Sequence, residues 1–397
     1  MRDAFLKYQA QTTPHPLGLE ISRAEGCYIY DQEGLPHLDL VAGVSACSLG
    51  HCHPAVVKAV QDQAASYMHV MVYGETIQEP AVRYAEELCS LLPESLNCLY
   101  LVNSGTEGIE AAIKLARRAT GRSELFAAKN AYHGSTLGSL SLMGYEARKG
   151  AFRPLLPDVR FLDFNSEEQL SKITERTAAV VLETIQGGAG FILPKNDYLQ
   201  KVRKRCDQVG ALLILDEIQP GFGRCGSLFA FEQFNCVPDI LVVGKGMASG
   251  LPIGGMLASR DLMAELQHSP KLGHITTFGG NAVIAAAARA TLKALFDEGH
   301  IEASLEKEAQ FRAGLKHPLI REIRGRGLML ALLFERPEIA NFLVLEAAKK
   351  RLMLFWLLFE PRAVRLTPPL PITKHQITEA CQQIVEILDS FEQLGVD

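Results

Sequence analysis

Between about residue 50 and residue 290, short apolar runs such as Ala211–Leu215 and Ile240–Val243 alternate with stretches of helical periodicity. Runs that are apolar throughout suit strands buried on both faces. Strands that alternate with helices build a mostly parallel sheet with helices on both sides, an α/β architecture. Ligands of such sheets bind outside the carboxyl ends of the strands. Two strand ends here carry chemistry: Ile240–Val243 runs into Gly244-Lys245-Gly246, and Ala211–Leu215 runs into Asp216-Glu217-Ile218-Gln219.

The glycines beside Lys245 leave room for a flat group against its amine. Burying an ammonium is costly, and a desolvated lysine sheds its proton more easily and becomes a Schiff-base nucleophile. Taken alone, Lys245 also reads as a lysine that snorkels to the surface, and Asp216 as an ordinary turn residue. The pair is harder to explain that way. A carboxylate that holds a proton on a pyridine nitrogen, next to a Schiff-base lysine, is what pyridoxal 5'-phosphate chemistry needs. A third element supplies an anion site. Cys98–Val102 reads as a strand, Asn103-Ser104-Gly105 as a turn, and Thr106–Arg118 as a helix with apolar Ile109, Ala112, Ile113 and Ala116. Ser104 and Glu107 have the spacing of a capping box. The same turn offers free N–H groups and a positive dipole end, so Gly105 and Thr106 are phosphate-binding candidates. Neither a Walker A loop nor G-x-G-x-x-G is matched.

These stretches do not stand alone. Gly50-His51-Cys52-His53-Pro54, Asn103-Ser104-Gly105-Thr106-Glu107, Tyr132-His133-Gly134, Glu183-Thr184-Ile185-Gln186-Gly187, Gly221-Phe222-Gly223-Arg224, Thr276-Thr277-Phe278-Gly279-Gly280-Asn281 and Arg365-Leu366-Thr367-Pro368-Pro369-Leu370 follow in an order and spacing that resemble the class III aminotransferases. The resemblance implies the pyridoxal-phosphate fold of type I and an amino transfer between an amino acid or ω-amine donor and a keto acid. An aminomutase or decarboxylase, or a catalytically silent relative, would share the scaffold. The resemblance also assigns roles. Lys245 would carry the cofactor and shuttle the proton, Asp216 would face the pyridine nitrogen, and Gln219 the phenolic oxygen. Tyr132 would stack on the ring, with His133 and Gly134 shaping that face, and Glu183 would lie near the reacting carbon. Ser104, Gly105 and Thr106 would hold the phosphate, helped by Thr277 of a second copy, which implies a homodimer with shared sites.

Substrate is where the chain departs from its best-known relatives. Branches that use glutamate carry an arginine after the aromatic-His-Gly motif, where this chain has Ser135, and often a glutamate where it has Gly188. The ornithine branch has tyrosine at the position aligned with Val44. Arg365 is retained and becomes the main carboxylate clamp, with Arg148 or Arg153 as possible substitutes for the missing arginine.

Composition sets outer bounds. A chain of 397 residues, 48% hydrophobic, buries a large core, and a net charge of −5 argues against nucleic acid as a partner. Nine cysteines without paired spacing suit free thiols in a reducing, cytoplasmic setting. His51-Cys52-His53 lacks the partner ligands of a tetrahedral metal site, so no metal is expected. The start of the chain turns polar after Leu6, unlike a signal peptide. Leu352–Phe359, the most apolar run, is too short to span a bilayer and reads as one buried strand. The expected organisation is an N-terminal segment, 1–45, that packs with a smaller α+β domain at 296–397, around a large cofactor-binding domain at 46–295.

Overall fold

The computed structural model describes residues 1–393. A seven-stranded sheet forms its centre, in the spatial order Cys98–Val102, Gly254–Ala258, Ile240–Gly244, Leu212–Asp216, Thr177–Glu183, Glu124–Ala128 and Val159–Leu162. Every pairing is parallel except the two made by Gly254–Ala258, which runs antiparallel to both neighbours. The strands Thr177–Glu183, Glu124–Ala128 and Ile240–Gly244 are buried along their whole length. That explains why their sequences are apolar runs rather than alternations.

The helix Gly105–Thr120 packs on this sheet through the predicted positions Ile109, Ala112, Ile113 and Ala116, all buried. Its start differs from a closed capping box by one residue. Ser104 Oγ accepts from Glu107 N at 3.4 Å, but the Glu107 carboxylate reaches back to Asn103 N at 2.7 Å. Gly121 ends the helix in the left-handed conformation. Elsewhere the helix Ala282–Asp297 packs against Pro54–Ser66 and Glu79–Ser90.

Two four-stranded sheets are built from the ends of the chain. One joins Ile21–Glu25, Tyr28–Asp31 and Pro36–Asp39 to Leu352–Met353; the other joins Glu322–Arg326, Met329–Leu333, Ala363–Leu366 and Phe355–Trp356. The apolar run Leu352–Phe359 is therefore not one strand. Leu352 pairs in parallel with Leu38, whereas Phe355 and Trp356 pair antiparallel with Arg365 and Val364 in a different sheet. The run is apolar because it crosses between two sheets, touching a core on each side, and Phe355 itself is exposed. Backbone bonds from Thr367 N to Leu40 O and from Leu370 N to Ser48 O tie the C-terminal part to the loop 40–48. No helix among the described residues is long and apolar enough to cross a membrane.

Candidate active site

Adjacent parallel strands deliver Asp216 and Lys245 to the same edge of the central sheet. Lys245 follows the last strand residue, Gly244, and takes a left-handed backbone, φ 43°. That region is unfavourable for a side-chain-bearing residue, so the surrounding structure must hold it there. Ser48 Oγ helps by donating to Gly246 O at 2.7 Å. Among the described residues the Lys245 amine makes no hydrogen bond or ion pair. Burial pulls it down to about 8, against the opposing pull of Asp216 and Glu183 and with a further push from Arg365.

The acids around it are anchored. One Asp216 oxygen accepts from Ile218 N at 3.0 Å, and the other pairs with His133 Nδ1 at 2.8 Å. Burial works to lower the His133 pKa, but the Asp216 carboxylate outweighs it and the net shift is upward. The other ring nitrogen, His133 Nε2, is buried without a partner. Glu183 accepts from Gly187 N at 2.9 Å and Tyr132 N at 3.2 Å, and burial pushes its carboxyl up to about 7. Glu217, next to Asp216 in sequence, points the other way. It accepts from Ala230 N and Phe231 N, starting a short helical turn, and is also wholly buried.

Gln219 Nε2 donates to Ser45 Oγ at 3.3 Å. Ser45 belongs to a run, Ala42–Ser45, in which all four residues have positive φ, Val44 included. Gly105 N and Thr106 N start the long helix with no acceptor among the described residues. Thr106 Oγ1 lies 2.6 Å from Ser139 Oγ and 2.8 Å from Thr136 Oγ1. Tyr132 is half-buried, with its hydroxyl 3.3 Å from Ser135 Oγ.

Arg365 is buried, and only burial shifts it, down to about 10. Its Nε donates to Trp356 O at 3.1 Å, while Nη1 has no partner. Of the two arginines considered as substitutes at Ser135, Arg153 binds both oxygens of Glu146, whereas Arg148 spends one nitrogen on Leu358 O and has no acid partner among the described residues. Thr277 is not brought to this cleft by its own chain. It is exposed, in a loop beside a cavity of about 680 Å³ between Val72–Gln78 and Leu99–Leu101. His51 and His53 face different acids, Asp39 and Glu298.

Sequence reasoning missed Ser45, which holds Gln219, and Phe359, which lies over Gly188. A hydroxyl in a loop carries no signal of its own, and Phe359 reads in sequence as the end of a strand.

A desolvated amine without a partner, a carboxylate beside it, free N–H groups at a helix start and an orphaned imidazole nitrogen form a donor set that fits pyridoxal 5'-phosphate. The comparisons agree. The model of the family described as "Aminotransferase class-III" matches residues 8–388. The acetylornithine aminotransferase of Halalkalibacterium halodurans is 38% identical, over 93% of this chain and 95% of its own length. Ornithine aminotransferase 1 of Staphylococcus aureus is also 38% identical, over 95% of this chain and 97% of its own. Among solved structures, the ornithine aminotransferase of Toxoplasma gondii superposes with a TM-score of 0.90 at 30% identity, covering 98% of this chain and 94% of that one. An omega transaminase variant from Pseudomonas jessenii gives 0.92 at 25% identity, with 99% of each chain covered. The chain belongs to the class III aminotransferases and is a pyridoxal-phosphate-dependent enzyme of amino-group transfer.

Proposed function

We propose that Lys245 is the residue that carries the cofactor and moves the proton, and that Arg365 anchors the substrate carboxylate. The observation that carries the reading is the Lys245 amine itself: desolvated, unpaired, and on the strand next to Asp216. When bound, the cofactor supplies an aldehyde that accepts the amino group and a ring that takes up the electron pair. The rest falls to side chains. Asp216, held by His133 and Ile218 N, keeps a proton on the ring nitrogen. Gln219 donates toward the phenolic oxygen, and Tyr132 covers one ring face. Gly105 N and Thr106 N, with Ser104, receive the phosphate at the helix start. Lys245 would take a proton from the substrate carbon and return one to the acceptor carbon. Glu183, whose carboxyl burial raises to about 7, borders that carbon.

The same reading treats residues 46–295 as the cofactor-holding domain, and residues 1–45 with 296–397 as the smaller part packed on it. It makes the working unit a cytoplasmic homodimer in which Thr277 reaches the partner copy's phosphate. Donors are amino acids or ω-amines, as the names of the acetylornithine and ornithine relatives indicate, and acceptors are keto acids. With Ser135 and Gly188 in place of charged residues, Val44 and Ser135 contribute only uncharged surface, and a monocarboxylate such as pyruvate suits Arg365.

Borohydride reduction of the yellow enzyme followed by peptide mapping tests the assignment. The label is expected on Lys245, and Lys245→Ala is expected to drop turnover below detection. A label on any other lysine overturns the reading.

A further inference from the structure

Lys245 takes the left-handed conformation that glycine favours, and Ser249 does the same at φ 44°. Between them lies the short helical turn Lys245–Ala248. The turn closes on itself weakly, because Ser249 N reaches Gly246 O only at 3.5 Å. Were Lys245 to relax to the ordinary φ near −60°, its side chain would swing by roughly 100° about the N–Cα bond at the end of the strand. On a side chain as long as lysine, that swing moves the amine well away from its place beside Asp216.

The restraint comes from a distant part of the chain. Ser48 Oγ donates to Gly246 O at 2.7 Å, much closer than the turn's own bond, and Leu49 N donates to Ser249 Oγ at 3.0 Å. Two consecutive residues therefore grip both ends of the turn. A Cβ on Gly246 would lie 3.4 Å from the Cβ atoms of both Ser48 and Phe222, so the turn is also seated between these side chains.

Ser48 is itself fixed. It is buried, and its carbonyl accepts from Leu370 N at 2.8 Å. Earlier in the same loop, Leu40 O accepts from Thr367 N at 2.8 Å, and Val41 O accepts from Thr367 Oγ1 at 2.9 Å. One side of the loop is thus bolted to the C-terminal chain while the other holds the turn of Lys245. Without the Ser48 hydroxyl, Gly246 O would stay buried with only the 3.5 Å contact, and an unmet buried carbonyl favours any rearrangement that finds it a donor.

We propose that Ser48 is a positioning residue: its hydroxyl, bound to Gly246 O, holds the strained turn that presents the Lys245 amine to the cofactor's aldehyde. The proposal rests on the reading of Lys245 as the cofactor carrier, and its test separates the two.

The full chain, freed of cofactor, is mixed with pyridoxal 5'-phosphate at about pH 9, above the value of about 8 to which burial brings the Lys245 amine. Growth of visible absorbance gives the rate of capture at saturating aldehyde. Pyridoxamine 5'-phosphate is the second probe. It carries the same ring and phosphate but no aldehyde, so its affinity reports the site without the covalent step. Ser48→Ala is expected to slow capture by about tenfold, the effect of one buried hydrogen bond, and to leave pyridoxamine 5'-phosphate affinity within about threefold. Ser48→Thr, which keeps the hydroxyl, is expected to stay within about threefold of the native rate. Ser249→Ala loosens the other grip and is expected to slow capture by about threefold, which keeps the test decisive if Ser48→Ala does not fold. Capture at the native rate in Ser48→Ala, or in Ser249→Ala where only that variant folds, overturns the proposal. So does an equal loss of capture and of pyridoxamine 5'-phosphate affinity, which marks a collapsed site rather than a misplaced amine. Lys245→Ala is the separate arm: capture with the native spectrum there defeats the carrier reading, whereas the Ser48 variants alone bear on positioning.

Discussion

The end of the central sheet and the C-terminal wall both bury charge, but they satisfy it in opposite ways. At the sheet end, acids and bases answer one another: Asp216 pairs with His133, Glu183 takes two backbone N–H groups, and Lys245 sits among them. At the wall, Arg365 has only a backbone carbonyl. A balanced set shifts proton affinities toward neutrality, as with Lys245 near 8 and Glu183 near 7, and so suits proton transfer. A lone buried cation keeps its charge and waits for a foreign anion. Arg224 sharpens the contrast. It is just as buried and is also pulled down to about 10, yet its Nη1 is closed in by the carbonyls of Leu328 and Pro368. It ties the C-terminal chain down through two carbonyls where Arg365 has one, although Nη2 of Arg224, like Nη1 of Arg365, is buried without a partner.

The largest expected effect strikes the balanced set. Asp216→Ala removes the proposed ring-nitrogen partner and the acid that raises His133. A charge pair in a dry site is worth a few kcal/mol, so kcat is expected to fall about 10³-fold or more. Near-normal turnover by stopped-flow or steady-state assay would dismiss Asp216 from that role.

Next comes the wall against its control. Arg365→Ala is expected to lower kcat/KM for a carboxylate-bearing substrate by about 10²-fold, while a neutral amine donor changes by less than about threefold. Arg224→Met is expected to do the reverse, shifting the urea midpoint and leaving that discrimination in place. If both arginines behave alike, Arg365 is a structural tie and not an anchor.

A smaller effect concerns pH. On the role proposed for Lys245, the unloaded chain binds the cofactor through the neutral amine, which burial brings to about 8. Below that value the neutral fraction falls about tenfold per pH unit, so the rate of cofactor uptake should rise with pH and level off above about 8. A flat profile between pH 6 and 8, followed by the growth of visible absorbance, would place the amine's pKa elsewhere.

The smallest effect lies away from both regions. His51 is raised to about 10, chiefly by its bond to Asp39 at 2.8 Å and then by Cys47. Its folded value exceeds the ordinary 6.5, so the contribution is fully present below about pH 6.5 and is lost as pH rises through about 10. His51→Gln should cost about 2 kcal/mol at pH 6 and much less above pH 10, read from urea midpoints. A gap that does not narrow would deny the charged pair.

Much of the balanced set was legible in the sequence, because each member sits at the end of a recognisable local element. An apolar run followed by Gly-Lys-Gly or Asp-Glu-Ile-Gln marks a strand end, and Ser104-Gly105-Thr106 before a helical period marks an anion-ready terminus. Strand burial and helix periodicity are properties of consecutive residues, so the α/β sheet, the helix 105–120 face and the two strand-end groups follow from the chain's own order. Tertiary structure alone decided the rest. Asp216 and Glu217 are neighbours with the same chemistry, and only packing sends one to His133 and the other to a helix start. Leu352–Phe359 looks like one strand in sequence, but its two halves find partners in different sheets, Leu38 for one and Val364 and Arg365 for the other. The seat of Phe359 on Gly188 joins residues far apart in the chain, where neither glycine nor phenylalanine signals the other. Local order writes the elements; which surfaces then meet depends on long-range contacts that no stretch of consecutive residues contains.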